Sequence, residues 1–216
     1  MWVGCPSDGQ QGPQPAPRSG SVPPVTPIAA ARLAYYSSGE LGVLAPRGWH
    51  CFGLYGSNGS MLIVTPQHLD ARGLLSPESH PISGPVVQIA LSLGGTSGRF
   101  EVATVVARAF PAQIDFARRV ETEGISGRFP RGPYPTDRMV RIRPTTVAYR
   151  TPARSRGLGT MSRLAPDDRP IDGLVLLDTS DDWSLVKLDV RLAADQADLA
   201  TTILNAALPP RPPRRR

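Results

Sequence analysis

The sequence predicts an α+β fold, a mostly antiparallel sheet with helices packed on it. Strand-like apolar runs follow one another across turns too tight for parallel crossovers, at Pro46-Arg-Gly48 and Ser57-Asn-Gly-Ser60. Helix-periodic segments sit between later runs, as where Val102, Val105, Val106 and Ala109 recur at spacings of three and four. With 216 residues, 40% of them hydrophobic, the chain can bury the core of one domain. Its 24 Pro and 21 Gly lack a Gly-X-Y period, which excludes collagen and points to many turns.

Residues 1–25 read as an extended Pro/Gly-rich arm, 26–208 as a single α+β domain and 209–216 as a disordered Pro/Arg tail. Thr26-Pro27 has the form of an N-cap and first helical residue, with a helix expected over Ile28–Tyr36 and stopped at Ser37-Ser-Gly39. Segment 40–55 is expected to be two short strands joined by the Pro46-Arg-Gly48 turn, and Ser57-Asn-Gly-Ser60 then leads into Met61–Thr65, which completes a three-stranded meander. Loop signals fill 66–85. Val86–Leu93 reads as a strand, Arg99–Phe110 as a helix, and Pro111 as the break before a second helix over Ile114–Glu123 that ends at Gly124.

Met139–Arg143 alternates apolar and basic residues, the period of a strand with one wet face, with Thr146–Arg150 as its hairpin partner. Two further strands, Gly173–Asp178 and Trp183–Leu192, precede a closing amphipathic helix over Asp195–Ala207. The expected core is Trp49, Leu54, Ile63, Val87, Ile89, Leu91, Val105, Val175, Leu177, Leu185, Leu188 and Leu204.

The net charge of +6 arises from 23 Arg and a single Lys, Lys187, against 18 acidic residues. Residues 118–163 hold eleven Arg and three acids, whereas 164–210 hold three basic and nine acidic residues, so pairing within the fold is the expected use of this charge. An anionic partner is the alternative. Nucleic acid is disfavoured, because only Tyr134 and Tyr149 accompany the arginines as stacking surfaces.

Cys5 and Cys51 lie in no CxxC or Cys/His pattern, which excludes zinc and thioredoxin-type chemistry. A disulfide between them would pin the arm and implies an oxidising compartment. The alternatives are two unrelated free thiols, or lipidation of Cys5, since Val3-Gly4-Cys5 resembles the end of a lipobox, although no apolar stretch precedes it. No apolar run of transmembrane length occurs.

The Pro46-Arg-Gly-Trp49 hairpin near the start, with a late hairpin followed by a C-terminal helix, resembles the PsbP-like fold, an α/β/α sandwich around an antiparallel sheet. That resemblance implies a binding or accessory role rather than catalysis. Cys5–Gln10, Leu44–Trp49 and Tyr55–Gly59 also resemble segments of uncharacterised secreted proteins of Gram-negative bacteria, which implies a periplasmic or extracellular location.

Candidate chemistry is sparse. His68 and Asp70 with Ser57 or Ser60 contain the parts of a nucleophilic triad, and His50 lies nearby in sequence, but no Gly-x-Ser-x-Gly elbow is present and the serines fit a hairpin turn. His68, Asp70 and His80 lack a metal-ligand spacing. Gly94-Gly95-Thr96-Ser97-Gly98 before Arg99 could present backbone N–H groups to an anion, although it is neither a Walker A nor a dinucleotide motif. Arg141 and Arg143 on one strand face, with Arg138 and Arg150 alongside, form the second anion-binding candidate. The expected function is a non-enzymatic binding or accessory protein of the cell envelope without a cofactor, its partner an envelope protein or a small anion. The alternatives are a Ser/His hydrolase and an anion or nucleic-acid binder acting through the arginine-rich strand.

Overall fold

Short hairpins dictate most of the architecture, because a two-residue turn leaves its strands no choice but antiparallel pairing. In the computed structural model, residues 1–76, 79–161 and 163–208 are described, so the Pro/Arg tail at 209–216 lies outside the described residues. The central sheet has eight strands: β2 (Ser7–Gly9), β5 (His50–Gly56), β6 (Gly59–Thr65), β7 (Val86–Leu93), β11 (Ser184–Arg191), β10 (Ile171–Asp178), β9 (Thr146–Thr151) and β8 (Arg138–Arg143), in that spatial order. A second sheet has the order β1 (Trp2–Gly4), β3 (Leu33–Ser37), β4 (Gly42–Pro46). All pairings are antiparallel except β1 with β3 and β2 with β5. This is the expected α+β class.

One face of the central sheet packs on the small sheet and on α5 (Ala200–Ala207), through Leu62, Val64, Val87, Leu174, Leu188, Val190 and Ile203. The other carries α3 (Arg99–Ala109) and α4 (Ile114–Thr122) over Val147, Val175, Leu177 and Leu185. A smaller apolar cluster beneath α2 (Ala71–Leu75) gathers Phe52, Ile63, Leu74, Leu164 and Ile171. Burial of these aliphatic faces from both sides is the main stabilising term.

Several expectations are corrected. The first helix, α1 (Pro27–Arg32), has the expected Thr26 cap, whose Oγ1 accepts from Ala29 N at 3.3 Å, but it stops at Arg32. Leu33–Ser37 is strand instead: the small sheet supplies partners on both sides, and this overrides weak local helix propensity. The meander is also divided. Strands β4 and β5 do not pair; the chain crosses from one sheet to the other at Arg47-Gly48-Trp49, where Gly48 takes φ +79°. Trp49 is half-buried rather than core, and so are Leu91 and Leu204. The closing helix begins as 3-10 turns over Ala194–Leu199.

The arm is not merely extended. Its strands β1 and β2 add to different sheets, and Cys5, fully buried between them, is disulfide-bonded to Cys51 of β5 with Cα atoms 5.4 Å apart. The bond therefore sits where the arm passes between the sheets. Among the described residues, no helix is long and apolar enough to cross a membrane.

Candidate functional site

Pro111 has no N–H and ends α3, so the last carbonyls of that helix must find partners elsewhere. Gly132 N donates to Ala107 O at 2.9 Å, and Arg141 Nη2 donates to Ala109 O at 2.9 Å. These contacts bring the 131–133 loop and β8 against the helix end and leave a cavity of 470 Å³ between them. Ala109, Ile114, Met139 and Val147 give it aliphatic walls, and Arg108, Arg118, Arg131 and Arg141 supply its charge.

The four guanidiniums are not equivalent. Arg118 pairs with Asp115 at 2.9 Å and Arg131 with Glu121 at 2.6 Å. By contrast, Arg108 lies 4.1 Å over the Tyr134 ring and donates Nη1 to Gly132 O at 3.2 Å, while its Nε is buried without a partner among the described residues. Arg141 lies 5.8 Å from the Phe110 ring centre and, among the described residues, donates to the Ala109 and Pro144 carbonyls. Dipoles and ring faces hold these two cations without cancelling their charge. An apolar cavity is thus lined by two cations that no carboxylate neutralises, a combination suited to an anion with an apolar body.

The alternation of β8 does not divide a wet face from a buried one as expected. Val140 and Ile142 are 64% and 42% exposed and Arg141 is exposed too, while Met139 and Arg141 line the cavity. Strand edges tolerate such outward apolar residues, and the register shift between Arg141 and Arg143 displaces Arg143 from a simple shared face with Arg141. Arg150 lies opposite Arg138, on the other side of the sheet from Tyr149, and pairs with Asp172 at 2.8 Å. Arg154 pairs with Asp168 at 2.6 Å, so part of the basic segment is met by the acidic one, as the charge pattern implies.

The glycine-rich junction uses several of its backbone N–H groups internally. Gly94 N bonds to Trp183 O, Thr96 N to Leu93 O, Gly98 N to Thr96 Oγ1 and Glu101 N to Gly98 O. A Cβ on Gly95 would lie 2.9 Å from the Asp182 carboxyl carbon, which places negative charge where an anion would sit. Ser97 belongs to the same turn, its carbonyl accepting from Phe100 N, and Arg99 pairs with Glu123 at 2.7 Å. Glycine here serves tight packing of the strand-to-helix connection.

The hydrolase parts are separated. Ser57 and Ser60 lie at the turn of the β5–β6 hairpin and His50 at its open end, about 17 Å away along the strand. His68 faces His50, with ring centres 5.5 Å apart. Asp70 caps α2 by accepting from Gly73 N at 2.8 Å, and His80 is exposed. Among the described residues, no group of three or more His, Cys, Asp or Glu could hold a metal ion.

Sequence reasoning missed a second polar cluster. On the α3 side of the central sheet, Lys187, Asp189, Gln88 and Tyr149 are buried, and Glu101 of α3 lies close enough to act on them electrostatically. Asp189 pairs with Lys187 and accepts hydrogen bonds from Tyr149 Oη and from Gln88 Nε2, the latter at 3.2 Å. Burial raises the Asp189 carboxyl against the lowering pull of Lys187 and these bonds. Burial likewise raises Glu101, with Lys187 opposing, and lifts Tyr149 well above the usual phenol range. Next to it, Arg191 is fully buried and donates to the carbonyls of Ile82, Gly84 and Ala165, tying down two loops. The available signal was the alternation Lys187, Asp189, Arg191 through an apolar strand, with Lys187 the only lysine in the chain. The sequence alone does not reveal that α3 covers that face.

Compared with known proteins, the chain matches no family model, no curated sequence and no solved structure.

Proposed function

We propose that this chain is a non-enzymatic binding or accessory protein of an oxidising, extracytoplasmic compartment, periplasmic or extracellular, and that its ligand is a small anion with an apolar body. The observation that carries the reading is the cavity of 470 Å³ in which Arg108 and Arg141 keep their charge while the buried Arg108 Nε has no partner among the described residues. An anionic head between these guanidiniums would gain charge-assisted hydrogen bonds, and the aliphatic walls would cover its body. The Cys5–Cys51 disulfide supports the compartment. The separation of Ser57 and Ser60 from the histidines weighs against the hydrolase.

Calorimetric titration with octanoate, phenyl phosphate and the uncharged octanol tests the reading. Binding of the anions, weakened at least tenfold in Arg108→Met and Arg141→Met and absent for octanol, is the expected result. Equal binding of octanol and octanoate, or no binding of any of the three, would overturn it.

A further inference from the structure

A second cavity, of 420 Å³, has the opposite chemistry. It lies between the disulfide-held arm, the β3–β4 turn and the tip of the β5–β6 hairpin, and of the residues that line it only Glu40 is charged. Gln10 and Gln14 from the arm, Ser38 from the turn, and Tyr55 and Ser60 from the hairpin supply amide and hydroxyl groups. All of these are neutral groups that can both donate and accept hydrogen bonds.

Ser60 is the informative member. Only 9% exposed, it lies opposite Tyr55 on β5 and Leu91 on β7, and its Oγ is buried without a hydrogen-bond partner among the described residues. A buried hydroxyl without a partner is costly, and Ser60 is among the residues that line the cavity. The surroundings are already fixed. Gln10 Nε2 donates to Ser57 Oγ at 3.2 Å, Tyr55 Oη donates to Gly12 O, and Cys5–Cys51 anchors the arm. Little ordering would be needed on binding.

We propose that this cleft binds a neutral saccharide. An anion would meet Glu40 and no cation, and an apolar ligand would leave the glutamines and serines desolvated without partners. A sugar ring matches both features, its hydroxyls facing the amides and Ser60 and its C–H face lying against the half-buried Tyr55 ring. The volume falls within the range of about 300–1,000 Å³ usual for small-molecule sites.

The test is saturation-transfer NMR and calorimetry of the full disulfide-bonded chain with maltotriose, cellotriose and N,N′,N″-triacetylchitotriose, with glucose 6-phosphate as the charged control. At least one neutral trisaccharide should bind, about tenfold more weakly in Ser60→Val and in the surface variant Gln10→Leu, and unchanged in Arg141→Met. Melting curves of Ser60→Val and Gln10→Leu establish that both remain folded; if Ser60→Val does not fold, Gln10→Leu alone decides. No binding of any neutral trisaccharide at about 10 mM, binding that Gln10→Leu and a folded Ser60→Val leave intact, or a preference for glucose 6-phosphate would each overturn the proposal.

Discussion

Lys187 Nζ lies 3.0 Å from Asp189 Oδ2, two residues along the same central strand and both sealed beneath α3. A charge pair so enclosed contributes little net stability against an apolar replacement, because desolvation offsets its Coulomb attraction. Removing one partner is different, since it strands the other charge. Lys187→Met is therefore expected to cost about 3–5 kcal/mol in denaturant unfolding, and Lys187→Met with Asp189→Leu clearly less than the sum of the two single changes. Additive losses would show that the two groups do not depend on each other.

The same cluster fixes the sign of a pH effect. Glu101 and Asp189 have raised carboxyl values, so both hold a proton more tightly folded than unfolded. Their stabilising contribution is full below about pH 4, where the unfolded carboxyls titrate, and is lost as pH rises through the folded values. Asp167 works the other way: hydrogen bonds from Gly84 and Arg169 N–H and the charges of Arg191 and Arg169 lower it, against a raising effect of burial, so its contribution is lost on acidification. As pH rises above about 4, unfolding free energy of the native chain should fall relative to that of Glu101→Gln, since only the former carries the contribution of Glu101. Parallel curves for the two proteins would contradict this assignment.

The disulfide spans a sequence separation of 46 residues, and strands β1 and β2 each offer only three residues of pairing to hold the arm without it. Loop closure on that scale is worth about 4 kcal/mol in the chain-entropy model. Reduction, or Cys5→Ala with Cys51→Ala, should lower the unfolding free energy by roughly that amount. Limited proteolysis of the reduced chain should cut first between residues 10 and 25. Unaltered stability after verified reduction would mean that the arm is held by its strand pairing alone.

The sequence disclosed what local chemistry controls. Thr26-Pro27 marked a helix start, Pro111 a break and Ser57-Asn58 a hairpin, each through a constraint within a few residues. Gly59 shows the limit: its φ of +133° suits the turn, but the reason no side chain fits is Leu91 O on β7, 1.9 Å from where a Cβ would stand. Leu33–Ser37 became strand because sheet partners distant in sequence were present, and Trp49 lost its core position because the chain changes sheets there. Cys5 and Cys51 were legible as a pair because the chain contains no other thiol. Arg141 was legible as a candidate, but its companion Arg108 was not, since only the broken helix brings the two to one cavity.

The face that β8 presents decides whether that cavity exists, and composition alone favours the wrong answer. Met139–Arg143 would bury Val140 and Ile142 if apolar content set the register, yet both are exposed while Met139 packs against the cluster under α3. A slip of one residue would exchange the two faces, turning Met139 and Arg141 away from α3 and removing a wall and a cation from the cavity. Stability distinguishes the registers. With the observed one, Val140→Thr and Ile142→Thr should each change unfolding free energy by less than about 1 kcal/mol, as surface substitutions do. Met139→Ala, which removes a half-buried side chain facing α3, should cost about 1–3 kcal/mol. The slipped register reverses that order, with the two threonine variants costly and Met139→Ala mild. Chemical denaturation of the three variants, compared at equal m-value, separates the alternatives without any ligand in hand.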